Sequence, residues 1–452
     1  MEQRDPRAED GVRPDHEQGR LSARVNLIYD VSAMRPIMTT TPPTGRTGVW
    51  RLAVLAVFLV ALGVWLTRWV LPPAPPAVPA RDVFTAAQIH RAQAYRDTTY
   101  PLALLGLLAP VMVAWLLAWR GIATRRRMVW CVALVAGFVV FADLPVSLVD
   151  HVRAHNVGLD SRSPAGWLLD ELEAGLLETG VITVLYLGAL PLWRRGRRIG
   201  VALAAWAVVA VITLLQPLVV DPIILSTHPI ESPRLRTVVS QLERRMGVHP
   251  SSVSIATNTG TGSGENALAD GLGPTQRVTI DSTIAGASTA ELRALVGHEL
   301  GHVKRNHLLK GVLWFGVIGV PAFLLVLWAA ERLCRRYAGA HLGTRAVPVV
   351  LALAVTAATV LTPVENLISR RIEAEADWAG LKATRDPAGM EALQKRLTLA
   401  NLSNPSPPQW AVWLLFDHPP VMERIAVARN YSSSGESGSS APAPNSGRFL
   451  IP

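Results

Sequence analysis

Seven apolar runs, separated by short charged connections and two long polar stretches, set the pattern of this chain. They lie at Val49–Leu71, Leu102–Trp119, Met128–Val149, Gly175–Trp193, Ile199–Val220, Val312–Ala330 and Val347–Val364. A bilayer core of about 30 Å takes about 20 residues of helix. Each run therefore predicts a transmembrane helix, although the second and seventh are short enough to be buried or re-entrant instead. Trp50, Trp65, Trp69, Trp119, Trp130 and Trp193 fall near run ends, where amphipathic rings anchor at the membrane interface.

The polar stretches carry other rhythms. Ser232–Met246 reads as an amphipathic helix with Leu235, Val238, Val239 and Leu242 on one stripe. Val253–Ile255, Ala267–Ala269 and Val278–Ile280 read as short strands between Gly- and Ser/Thr-rich turns. Ser288 and Glu291 form a capping box that starts a helix before Leu292, Leu295 and Val296. Pro72–Pro76 makes a stiff link into the amphipathic piece Phe84–His90. The expected organisation is a disordered tail at 1–48, five spans in 49–232, one part of a soluble domain at 233–310, two spans in 311–365, its second part at 366–430, and a flexible Ser/Gly/Pro-rich tail at 431–452.

Composition agrees with the membrane reading. Half of the 452 residues are hydrophobic and 17% are charged, unlike a string of soluble domains. The net charge of +10 comes from short basic clusters between apolar runs, so membrane lipid is an expected partner and nucleic acid is not. Only Lys304, Lys310, Lys382 and Lys395 are lysines among 44 basic residues; the arginine bias points to a GC-rich genome and a bacterial cell membrane. Cys131 and Cys334 lie far apart without a CxxC, which argues against a disulfide framework or thiolate metal site. Residues 1–45 are polar, so no cleavable signal peptide is expected there, and Met34 or Met38 are alternative starts.

The chemistry centres on His298-Glu299-Leu300-Gly301-His302. Histidines at i and i+4 share a helix face and together hold one zinc ion, while Glu299 is placed to take a proton from the water that the ion activates. A three-histidine extension is excluded, because Arg305 and Leu308 stand where its glycine and histidine belong. On one continuous helix His307 is turned off the metal face and reads as structural or supporting. Asn306 continues the i+4 ladder, but an amide is a poor zinc ligand. The best third ligand lies in the stretch 366–377, where Glu373 and Asp377 share a face: one carboxylate binds zinc and the other accepts the N–H of a ligand histidine. Proton delivery is an alternative role for Asp377, and Glu375 points off that face. The bland readings are a chance pentapeptide on an ordinary helix, a solvated face for Glu373 beside Arg370 and Arg371, and a turn histidine for His418 before Pro419-Pro420. The capped helix, the downstream carboxylate pair and the membrane body favour the metal.

With these residues the chain resembles the type 1 CAAX prenyl proteases, integral-membrane zinc metallopeptidases with seven spans, and more distantly the HtpX membrane proteases. The likeness runs from about Phe84 to Val427. Besides the pentapeptide it rests on Asn306-His307, on Asn366, Ser369, Arg370, Glu373, Ala376 and Asp377, on Glu265-Asn266-Ala267 and Gly271, and on His418-Pro419-Pro420 with Glu423-Arg424-Ile425. The resemblance implies one Zn2+ per chain on His298, His302 and Glu373, with Glu299 as general base and Asp377 supporting it. It also implies that His418 holds substrate or the oxyanion, and that a strand at Asn266 and Ala267 pairs with an extended peptide. The fold class is then predominantly α: a polytopic membrane protein with about seven transmembrane helices and a discontinuous α+β zincin-like, gluzincin-type metallopeptidase domain.

The expected function is a membrane-embedded zinc metalloendopeptidase acting on peptide or protein substrates, misfolded or membrane-bound polypeptides being favoured over prenylated ones. A non-proteolytic membrane quality-control or binding protein with structural zinc is the alternative, though it has no need of Glu299. A transporter is a third reading, against which the large polar insert counts. Arg120 with Arg125–Arg127, Arg194–Arg198, and Arg332 with Arg335 and Arg336 fall on one side of the spans, and the acidic connection Asp150–Glu173 falls on the other. The positive-inside rule puts the zinc site away from the cytoplasm, whereas eukaryotic members of the family are taken to carry it on the cytosolic face. Sidedness and oligomeric state stay open at this point.

Overall fold

The computed structural model describes residue 57 and residues 61–73, 75–120, 127–219, 227–256, 267–337 and 343–436. The expected tail at 1–48, nearly half of the first apolar run, and Asn266 lie outside the described residues. Residues 1–65 and 66–452 are two compact units; in the first, residues 57 and 61–65 are helical, and the second holds every element named below.

Among the described residues six segments are long and apolar enough to cross a membrane: Ala86–Trp119, Met128–Asn156, Pro164–Arg194, Arg198–Gln216, His307–Arg336 and Ala346–Thr384. They hold the second to seventh apolar runs, the fifth as far as Gln216. Helix α1 (Ala86–Trp119) opens on a capping box between Thr85 and Gln88, so helix continues through the amphipathic piece well before the second run begins. The third run is broken into α2 (Met128–Val140) and α3 (Leu144–Asn156) at Pro145, which has no N–H to continue the ladder. Then follow α4 (Pro164–Arg194) and α5 (Arg198–Val219). Leu117, Cys131, Val132, Val135, Val347 and Ala352 fill one centre of the bundle, and Leu190, Trp193, Val201, Leu327 and Val350 another. Leu176, Leu177, Val184 and Val211 stay exposed on the outer faces, as suits contact with lipid.

The polar insert folds as β1 (Thr227–Pro229), α6 (Pro233–Met246), β2 (Ser252–Ala256), β3 (Ala267–Asp270), β4 (Arg277–Asp281) and α7 (Thr289–Arg305). The sheet has the order β1-β2-β4-β3, with β2 and β4 parallel and both outer strands antiparallel. Strand β1 has no apolar alternation and was not legible in the sequence. The stripe Leu235, Val238, Val239 and Leu242 of α6 packs with Val278 and Ile280 of β4 and with Leu292, Leu295, Val296 and Leu300 of α7. This core fixes α7 beside the edge strand β3.

The chain re-enters the bundle as α8 (His307–Tyr337) and α9 (Ala346–Thr384), then closes with α10 (Pro387–Ala400), α11 (Gln409–Leu415) and α12 (Val421–Glu436). The seventh apolar run is only the first part of α9, and the boundary expected at 365/366 falls inside this unbroken helix. Its polar continuation carries the helix out of the apolar layer and into the insert. The flexible tail expected from Tyr431 needs correction: α12 runs on to Glu436, and the Tyr431 ring meets Trp378 of α9 edge-on at 5.7 Å. That aromatic contact supplies a packing reason for order that local composition does not show.

Candidate metal centre

A helix bend and a helix crossing build the site. Helix α7 starts at the Ser288–Glu291 capping box and ends at Asn306, whose φ of 52° is left-handed. Asn306 is thus a helix terminus and does not extend the i+4 ladder. His307 begins a new helix, so the expectation of one continuous helix fails. The bend brings His307 Nδ1 to 3.0 Å from His302 Nδ1. Helix α9 crosses α7 at glycines. A Cβ on Gly380 would lie 2.8 Å from the His298 backbone nitrogen, and one on Gly301 2.8 Å from the Ala376 carbonyl oxygen. This close approach brings the carboxylates of α9 to the histidines.

His298, His302 and Glu373 each turn one ligand atom into a group spanning no more than 4.8 Å. His298 Nε2 is 3.1 Å from His302 Nε2 and 3.2 Å from Glu373 Oε2, and His302 Nε2 is 3.6 Å from Glu373 Oε1. Glu373 Oε2 is buried and makes no hydrogen bond among the described residues, although imidazole nitrogens flank it. A buried carboxylate oxygen beside imidazole nitrogens fits a bound zinc ion, which takes N and O ligands. Asp377 Oδ1 lies 2.8 Å from His298 Nδ1 and receives the guanidinium of Arg424 at 2.6 and 2.7 Å on its two oxygens. Burial works against a charged His298, but Asp377 and Glu373 outweigh it and raise its pKa to about 10. A metal ion taking this nitrogen therefore displaces a proton.

Glu299 is buried and lines the same cleft as both histidines, with Ala267, Leu268 and Ala269 of β3, His418 and Arg424. His418 Nε2 stands 3.3 Å from Glu373 Oε2 and its Nδ1 2.8 Å from Asp417 Oδ1. Burial lowers the His418 pKa, yet Asp417 and Glu373 turn the net shift upward, which favours the protonated, donating form. The structure thus gathers all the expected site residues except Asn266, which is not described. Sequence reasoning gave no individual role to Arg424, 47 residues from Asp377. It also missed a buried layer behind His302: Glu375 Oε2 contacts His307 Nε2 at 3.3 Å and Lys310 Nζ at 2.7 Å. The i, i+2 spacing did place Glu375 off the Glu373 face; the bend at Asn306 is what gives it a partner there.

The profile of Peptidase family M48 matches residues 234–432, the segment that holds every one of these groups. That segment of the chain is an M48 peptidase domain. An uncharacterized metalloprotease of Bacillus subtilis (strain 168), YhfN, is 23% identical over 306 residues, 65% of this chain and 71% of that protein. A CAAX prenyl protease 1 homolog of Oryza sativa subsp. japonica is 24% identical over 242 residues, 51% of this chain and 55% of the relative. The crystal structure of S. mikatae Ste24p shares the fold, with a TM-score of 0.63 over 84% of this chain and 98% of the other at 17% identity. The peptidase is therefore a zinc-dependent, integral-membrane metalloprotease of the type 1 CAAX-protease-like kind, acting on peptide or protein substrates. Nothing in the fold or the relatives favours the non-proteolytic alternative.

Proposed function

We propose that the peptidase is an endopeptidase of a bacterial cell membrane that cuts extended, unfolded or membrane-bound polypeptides, with zinc held by His298, His302 and Glu373. The observation that carries this reading is the arrangement of space around the triad. A cavity of about 260 Å³, floored by Leu295, Met390, Leu393 and Leu397, and another of about 400 Å³, walled by Val209, Leu308 and Phe315, meet at Ala269, His302 and Glu373. Chain on both sides of a scissile bond has room, as cleavage inside a polypeptide needs.

Bound zinc supplies Lewis acidity and lowers the pKa of its water toward about 7. In this reading Glu299 takes the proton from the attacking water and later delivers it to the leaving amine. His418 donates to the developing oxyanion, and Asp377, held by Arg424, fixes the ring of His298. Among the described residues strand β3 is the sheet edge beyond β4, and an edge strand can pair with an extended substrate.

An unstructured, internally quenched peptide tests this with purified protein in detergent. Cleavage should occur at interior bonds, stop on removal of metal by a chelator and return with zinc. Fragments released only from one terminus would contradict the endopeptidase reading.

A further inference from the structure

His302 needs a defined proton arrangement to serve as a ligand. Its Nε2 faces Glu373 and His298, so this nitrogen offers the lone pair and the proton sits on Nδ1. The neighbour of that proton is His307 Nδ1 at 3.0 Å. Two imidazole nitrogens form a hydrogen bond only if one carries hydrogen and the other does not, so His307 Nδ1 is bare and its proton lies on Nε2, toward Glu375 Oε2 at 3.3 Å. Glu375 is 1% exposed. Lys310 Nζ donates to its Oε2 at 2.7 Å, and the backbone N–H of Val70 donates to its Oε1 at 3.2 Å.

We infer that His307 and Glu375 are positioning residues that set the tautomer and ring angle of His302 through a two-step relay, Glu375 to His307 to His302. The other ligand histidine is held by the shorter path from Asp377 directly to His298. Helix α9 thus supplies three carboxylates with separate tasks: Glu373 toward the ligand nitrogens, Asp377 behind His298, and Glu375 behind the neighbour of His302. Each supporting carboxylate is matched by a cation, partly buried Arg424 for Asp377 and buried Lys310 for Glu375. The bend at Asn306 makes the relay possible, because it returns His307 to the rear edge of the His302 ring. The end of the first apolar run takes part as well: besides the Val70 contact, the Trp69 ring lies 5.0 Å from Lys310 Nζ.

The inference rests on the proposed zinc ligands, and the test separates the two. Zinc affinity is measured by chelator competition on purified full-length wild type, His307→Leu, His307→Asn and Glu375→Gln, with the thermal midpoint of each zinc-saturated protein recorded beside it. His307→Leu removes the acceptor and should bind zinc about 10–100-fold more weakly. His307→Asn places an amide oxygen near the former Nδ1 and should recover most of that loss. Glu375→Gln should fall between, and it decides the matter together with His307→Asn if His307→Leu does not fold. Wild-type affinity in Glu375→Gln, or equal weakening in His307→Leu and His307→Asn, would overturn the relay. Failure of the wild type itself to bind zinc would overturn the ligand assignment instead.

Discussion

Asp377 accepts hydrogen bonds from two directions, the ring of His298 and the guanidinium of Arg424, and each contact depends on the other. A buried carboxylate without its cation costs several kcal/mol, roughly 3–5 where one partner of a buried pair is removed. Arg424→Gln should therefore weaken zinc binding about 10–100-fold in chelator competition, as loss of a ligand's supporting partner does. Unchanged affinity with a lowered thermal midpoint would reduce Arg424 to a helix tie. At this scale the sequence was readable wherever chemistry follows helical spacing: His298 with His302, and Glu373 with Asp377. Arg424 and Glu375 have partners that only the tertiary fold brings near, so spacing alone carried no signal for either role.

The decisive elements are α7 and α9, and their distance is set by missing side chains. Gly380→Ala would press a Cβ against the Gly297 carbonyl carbon and the His298 nitrogen, both 2.8 Å away. Overpacking of this kind costs about 1–3 kcal/mol and moves Glu373 relative to the histidines. Gly380→Ala should lower both zinc content and thermal midpoint, whereas Gly188→Ala on α4, with nothing within 4 Å of the added Cβ, should leave zinc content alone. Equal zinc content in both variants would show that the crossing tolerates displacement. The amphipathic stripe, the three strands and the capped α7 were legible because each has a local period or cap. The turn at Asn306 was not, since its left-handed conformation interrupts a stretch whose composition continues to favour helix.

Across the whole molecule, the metal centre and the arginine-rich connections lie at opposite ends of α8. From His307 to Glu331 this helix rises about 36 Å at about 1.5 Å per residue, enough to cross a core of about 30 Å. At the far end Glu331 accepts from Trp193 Nε1 and Arg198 Nε, both at 2.8 Å, which ties the α4–α5 connection to α8. The positive-inside rule then predicts that the arginine end is cytoplasmic and the metal end is not. With Cys131 and Cys334 buried, an impermeant thiol reagent applied to intact cells should label Ser406→Cys and spare Gly196→Cys. The reverse pattern would place the site in the cytoplasm. Apolar runs made the membrane body legible from sequence, but they understated α1 and α9, whose helices continue through polar residues that the hydropathy pattern assigns to loops.

The central claim is that zinc held by His298, His302 and Glu373 works with Glu299 as the proton-transfer group. Its most direct test is metal content and peptide turnover measured on the same preparation of Glu299→Gln. One zinc per chain with turnover reduced about 10²–10⁴-fold, the range of general acid–base catalysis, is the expected result. Turnover close to wild type at full zinc occupancy would contradict it.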